Sequence, residues 1–486
     1  MSTEKVTSNT DCSKKLDNKL IKEIPSTEGI KSVDSLNALR KALKQIEADM
    51  DNETTDGDQY GATLTHYEVH LKKCVENEKF LTIFKQLPRE EQNAWMSEQY
   101  KNVCDLPQSL IELMSGAFYP GDCRRSPTER PDWLDMDKFR KGQQFTKDNY
   151  STVWLGSLYG LYFLYNFEDS LRPIIMSGKS YTPYKAFKRY LSTLKRMDEI
   201  YFGEPWTKGS PAYQDVQNIR MQHLAIREKL CKYDNKTLCD ASTLEDPYAP
   251  KYDVIRKDMQ TVCPVPNHGQ YPWDLWTASS PKRPKSLNQV EMALVQFGFV
   301  VFVILKPDVL GICNATDENL EAYCHMWKGI GYLLGIQDEF NFCRGSLEEI
   351  KQRAKDILEY WVKPNLRNYN KNFEHMVRAM FEGLSYFFPL MNYETMALQA
   401  LELIDLSAPN LYASLSYSTW MFYKIFNFVT RRLIRIPITR KGLNWLLSYS
   451  KNRAIDFDAK KHAELQEKSL KSSLNASIYQ PLITAQ

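Results

Sequence analysis

The sequence predicts an all-α chain. Apolar residues recur at three- and four-residue spacing along most of its length, as helices with one buried face require. No stretch alternates apolar and polar residues, and none carries a hairpin turn between two such runs. No repeat at a fixed period is visible either, which argues against a solenoid or propeller. With 486 residues the chain is long enough to bury one large core or two ordinary ones. A net charge of +3 is too small to imply a nucleic-acid partner. The 12% aromatic content suits the lining of an apolar cavity, and equally suits a core of bulky side chains.

Taken in order, residues 1–30 are polar and without periodicity and predict a disordered tail. Residues 31–105 predict a helical N-terminal extension, with helices over about Val33–Ala48, Leu64–Phe84 and Arg89–Asn102. The main domain, 106–405, opens with a loop-rich entry, FYPGDCRRSPTERPDWLD. Helical segments follow at about 136–145, 148–166, 183–201, 212–230, 287–305, 317–336, 346–360 and 371–385. Between Cys231 and Lys285 lies a long connection rich in Pro, Asp and Tyr, a length that inside a compact domain points to a functional or a mobile loop. C-terminal helices are expected over 406–455 and a polar tail over 456–486.

Ten cysteines without a CxxC pair, and an N-terminus without an apolar leader, predict reduced thiols in a cytoplasmic chain that is not secreted. Pairing among Cys231, Cys239 and Cys263 stays open. The most apolar run, Met292–Leu305, falls short of the roughly 20 residues a membrane-spanning helix needs. From Trp420 to Arg440, aromatic residues alternate with Lys424, Arg431, Arg432, Arg435 and Arg440. Two readings fit this segment: a helix lying on a membrane surface, or a bundle helix with a solvated basic face. Nothing in the sequence argues for oligomerisation.

Chemistry concentrates on two helical stretches. In DVQNIRMQHLAIREKL, Val216, Ile219, His223, Ile226 and Leu230 share a stripe, with Arg220 and Arg227 close to His223. An imidazole there is either a hydrogen-bonded core residue or an axial ligand to haem iron, the guanidinium groups then answering the porphyrin's acid groups. Upstream, a helix starting at Pro183 puts Arg189, Ser192, Thr193 and Arg196 on one stripe, facing a pocket or solvent. His66, His70 and Cys74 lie one turn apart, a half-site for a divalent ion or a solvated helix face. There is no G-x-S-x-G elbow, and Gly329, Gly331 and Gly335 follow no strand, so neither a serine hydrolase nor a dinucleotide site is expected.

Four segments in order resemble the family of the rubber oxygenases (latex-clearing proteins) and the ER-bound oxygenases of the mpaB type. PDWLDMDKFRKGQQF, from Pro131, is similar to an entry motif in which Trp-x-Asp precedes a Gly-Gln turn. SGKSYTPYKAFKRYLST resembles its "R-R-x-x-x-T" helix, and VQNIRMQHLAIRE its "V-R-x-x-H-x-x-x-R" helix. YCHMWKGIGYLLGIQDEFN, from Tyr323, resembles its "W-x-x-x-G-x-L-L-G-I" segment. The resemblance spans roughly Pro131 to Leu390 and implies a globin-like helical core holding haem b. It further implies a haem-dependent oxidoreductase, an oxygenase acting with O2 on a hydrophobic, isoprenoid-like substrate, at the ER membrane surface in the mpaB type. By position it puts the iron ligand at His223 and the catalytic pair at Arg189 and Thr193, with Ser192 and Arg227 also at the cofactor. Rubber oxygenases carry a lysine where this chain has Ser192, and a hydroxyl is a poor iron ligand, which implies an open or water-bound distal face and puts rubber cleavage in doubt. Helical spacing directs neither Lys188 nor Lys195 along the Arg189–Thr193 stripe. The alternative expectation is a non-catalytic helical protein that binds haem or lipid.

Overall fold

The computed structural model describes residues 33–52, 66–103, 105–266, 271, 279–389 and 391–475. Among these residues there is no β-strand; an isolated bridge joins Pro120 to Asn288. The all-α expectation holds. The tail expected over residues 1–30 lies outside the described residues.

The chain divides into two compact units, Met1–Ile111 and Glu112–Gln486, a few residues beyond the boundary expected near Leu106. The first contains α1 (Val33–Asn52), α2 (His66–Glu76), α3 (Glu78–Phe84) and α4 (Arg89–Val103). The single helix expected over 64–84 breaks at Asn77, whose side chain accepts from the amides of Lys79 and Phe80 and so caps α3. Phe80, Phe84 and Trp95 form its aromatic centre, with ring centroids 5.0 to 5.7 Å apart, the two Phe rings stacked and the Trp tilted or edge-on to them. Helix α5 (Gln108–Met114) spans the division.

The second unit is built on a central pair, α7 (Tyr150–Leu164) and α13 (Gln289–Leu305), both apolar nearly all round and buried. They cross at Gly160 and Gly298 so closely that a Cβ on Gly160 would stand 1.8 Å from the Gly298 carbonyl oxygen. A second tight crossing joins α6 (Met136–Asp148) to α14 (Asp317–Leu333), where a Cβ on Gly142 would meet the Ala322 carbonyl at 2.3 Å. The Gly-Gln pair that the resemblance reads as a turn is thus helix interior, and its glycine serves contact.

Around this centre lie α8 (Glu168–Met176), α9 (Pro183–Phe202), α10 (Pro211–Cys231), α11 (Asn235–Ala241) and α12 (Tyr252–Val262), followed by α15 (Leu347–Asp356), α16 (Lys371–Ser385), α17 (Tyr393–Leu403), α18 (Tyr417–Arg431), α19 (Pro437–Ile455) and α20 (Ala459–Leu470). Helix α9 starts at Pro183 as expected, α10 starts at Pro211, one residue before the expected segment, and Ser346 with Glu349 forms a reciprocal capping box. Two expectations are corrected. The 231–285 connection contains α11 and α12, and the 456–486 tail contains α20, started by Asp458 accepting from the Lys461 amide. Helix α20 packs on α9: Ser469 Oγ accepts from the Tyr184 amide at 3.1 Å, filling the place of the cap that Thr182 leaves unmade. Cys231, Cys239 and Cys263 are free thiols.

Candidate functional site

Helices α9 and α10 are pinned before they present anything. On α10, Arg220 forms a bidentate ion pair with Asp122, at 2.5 and 2.7 Å, with both side chains buried. Gly335, at φ +91°, comes so near that a Cβ there would stand 2.7 Å from the Asp122 carboxyl carbon. On α9, Asp198 accepts from the Tyr150 hydroxyl at 2.8 Å and pairs with Lys451 of α19. Burial pushes the Asp198 carboxyl up, and Lys451 opposes that shift.

Between them opens a cavity of about 930 Å³. It is within the size range of sites for small molecules and prosthetic groups. The expected stripe faces it: Arg189, Ser192, Thr193 and Arg196 all line the cavity, as do Ile219, His223 and Ile226 from α10. Val216 and Leu230, at the ends of the α10 stripe, are buried. Most other walls are apolar, from α7, α13, α16, α18 and α19.

His223 has a buried Nδ1 with no hydrogen-bond partner among the described residues. Burial, and then the Arg189 charge, lower the imidazole to about 4, with Asp122 opposing. The ring is therefore neutral at pH 7, the state a metal ligand needs. A depressed histidine contributes stability above its unfolded value near 6.5 and loses it as pH falls through the folded value. Unfolding free energy measured in urea is expected to drop by about 3 kcal/mol from this group between pH 7 and pH 4. In His223→Phe this part of the pH dependence should vanish; an unchanged profile would contradict the buried neutral ring.

Arg189 donates to Ser180 Oγ at 2.8 Å and Ser177 Oγ at 3.4 Å, which fix the guanidinium at the cavity wall. The Thr193 hydroxyl donates to the Arg189 carbonyl at 3.0 Å, so toward the cavity it offers lone pairs. Ser192 is exposed at the edge. Arg227 is not where it was expected. It is not among the lining residues, because its guanidinium is held by the carbonyls of Lys285 and Ser286 at 2.9 and 2.6 Å. Arg220, spent on Asp122, is likewise away from the cavity. Lys188, set off the stripe by helical spacing, does reach the lining, whereas Lys195 does not. With Lys179, Lys185 and Lys229 it makes the polar edge cationic.

One lining residue escaped the sequence reading. Glu291, on the first turn of α13, accepts from the Leu287 amide at 2.5 Å and is buried. Burial and the nearby Asp169 charge hold its carboxyl well above the usual range, against Arg227 and Arg172. It offers the cavity a carboxyl group whose protonated form burial favours. Its only sequence signal was a lone acid at the head of an apolar run.

Other histidines stand apart. His325 Nε2 accepts from the Asp135 amide at 3.1 Å, outside the cavity. In the first unit, His70 and Cys74 are joined by Glu47, their donor atoms within 4.8 Å of one another. One Glu47 oxygen accepts from the Trp95 indole at 2.7 Å. Three such donors could hold a divalent ion with water completing the shell; the side chain of His66 is outside the described residues. Compared with protein-family models, characterised proteins and solved structures, the chain matches none.

Proposed function

We propose that the cavity between α9 and α10 holds haem b, and that the chain is a haem-dependent oxidoreductase, an oxygenase of a hydrophobic, isoprenoid-like substrate. The observation that carries this reading is His223: a neutral imidazole with an unpartnered buried nitrogen, on the wall of a 930 Å³ cavity and within electrostatic reach of Arg189. The donor set fits the cofactor. His223 would hold the iron, and the cations at the edge, Lys185, Lys188 and Lys229 among them, would answer its two acid groups. Haem, when bound, supplies redox chemistry with O2.

The remaining roles belong to the chain. Arg189, oriented by Ser177 and Ser180, presents N–H donors and positive charge inside the cavity, where exclusion of water strengthens both. Thr193 accepts a hydrogen bond and so orients a donor beside it. Glu291 lies on the same wall, where burial favours its protonated form, and it could act as a proton donor to a bound molecule. The apolar walls select a long hydrocarbon by burial.

The test is an absorption spectrum of the purified protein after addition of haemin, in both redox states. Wild type is expected to show a Soret band at one haem per chain. His223→Ala is expected to remain folded and lose it, and full haem content in that variant would refute the ligand assignment. The second reading, a haem- or lipid-binding protein without catalysis, is favoured by the dominance of apolar walls. Oxygen consumption with polyprenyl substrates separates the two.

A further inference from the structure

Helices α18 and α19 form one side of the cavity and also turn a second apolar face outward. The inner face of α18 carries Phe422, Phe426 and Val429, and that of α19 Leu443 and Leu447, all lining the cavity. The outer face of α18 follows the spacing i, i+4, i+7, i+11 with Tyr417, Met421, Lys424 and Phe428. Tyr417 is 77% and Phe428 56% exposed. The outer face of α19 repeats that spacing with Ile438, Gly442, Trp445 and Tyr449; Ile438 is 79% and Trp445 64% exposed. Large apolar side chains exposed in register on two consecutive helices are not the scattered kind that any surface shows.

The charge carried by this stretch of chain has one sign. From Leu406 to Ile455 there are eight Lys and Arg residues and no Asp or Glu. Arg431 and Lys451 are taken up by Glu402 and Asp198. Lys424, Arg432, Arg435, Lys441 and Arg453 are exposed and form no ion pair among the described residues. Exposed apolar and aromatic side chains interspersed with cations on the same helices are what a helix lying in the headgroup layer of an anionic membrane presents, with Trp and Tyr at the polar boundary.

We infer that the outer face of α18 and α19 docks on a bilayer containing anionic lipid. Ile425, which is 56% exposed and also lines the cavity, stands where the two faces of α18 meet. An apolar substrate therefore passes from the bilayer into the cavity beside Ile425 without crossing water. This route rests on the cavity taking an apolar ligand; the docking itself does not.

The experiment is sedimentation of the full chain with vesicles of phosphatidylcholine, alone or with phosphatidylserine added. Wild type is expected to sediment with the phosphatidylserine vesicles, to be released by high salt, and to show a blue shift of tryptophan emission. Phe428→Ser/Ile438→Ser/Trp445→Ser is expected to stay in the supernatant with an unchanged melting temperature. Lys424→Glu/Lys441→Glu should bind roughly tenfold or more weakly to the anionic vesicles. Failure of wild type to bind, or equal binding to both vesicle types in every variant, would overturn the proposal. So would a dimer that the triple substitution dissolves, since a second copy would then own the face. Displacement of a fluorescent fatty acid from the soluble protein tests the route separately: no uptake, with vesicle binding intact, removes the route and leaves the docking.

Discussion

Gly160→Ala is expected to destabilise the chain by about 3–5 kcal/mol, or to abolish folding. The new Cβ would stand 1.8 Å from the Gly298 oxygen and 2.5 Å from its carbonyl carbon. Both are backbone atoms of a buried helix, so no rotamer change can clear them; α7 and α13 would have to separate. That separation would propagate, because each helix packs other side chains along its whole length. Urea midpoints of wild type and variant measure the effect. Gly442→Ala is the control of opposite sign. Nothing lies within 4 Å of a Cβ at that site inside α19, so better helix propensity should raise stability by about 1 kcal/mol. A Gly160→Ala protein as stable as wild type would mean that the two helices do not cross there.

Asp122→Ala is expected to cost about 3–5 kcal/mol, through a different mechanism. It leaves the Arg220 guanidinium buried without its carboxylate, and frees the Arg124 amide that Asp122 accepts at 2.6 Å. Arg220 lies one turn before His223, so the loss should also loosen the imidazole. The double substitution Asp122→Ala/Arg220→Met should recover a good part of the stability, since a buried pair replaced by apolar side chains is often near neutral. If each single change and the double cost the same small amount, the pair is solvated and anchors nothing. Calorimetric melting of the four proteins decides between these outcomes.

How far the sequence reached can be judged residue by residue. Helices with a proline or capping start and a strong apolar stripe, such as 183–202 and 211–231, were legible almost to their ends, because local chemistry fixes those ends. The stripe from Arg189 to Arg196 was legible for the same reason, and it does face a cavity. Arg227 was not. Its helical position is compatible with the cavity, but the carbonyls that hold it belong to the loop before α13, 58 and 59 residues away. Asp122 and Glu291 were missed on the same ground: what distinguishes them is burial and a distant partner, which periodicity does not report. Helix α20 was mistaken for a tail because its composition is polar, although Leu465 and Ser469 are buried. The two tight glycine crossings left no periodic signal, since a missing side chain adds nothing to an apolar stripe.

The cap on α9 has a consequence for how the cavity comes into being. The amide near the start of that helix is satisfied by Ser469, 285 residues later, and the cavity is walled in part by α18 and α19. His223 and Arg189 therefore depend for one side of their surroundings on segments more than 190 residues further along the chain. A molecule held there would meet a complete wall only once the two later helices, α18 and α19, have packed against the rest of the unit.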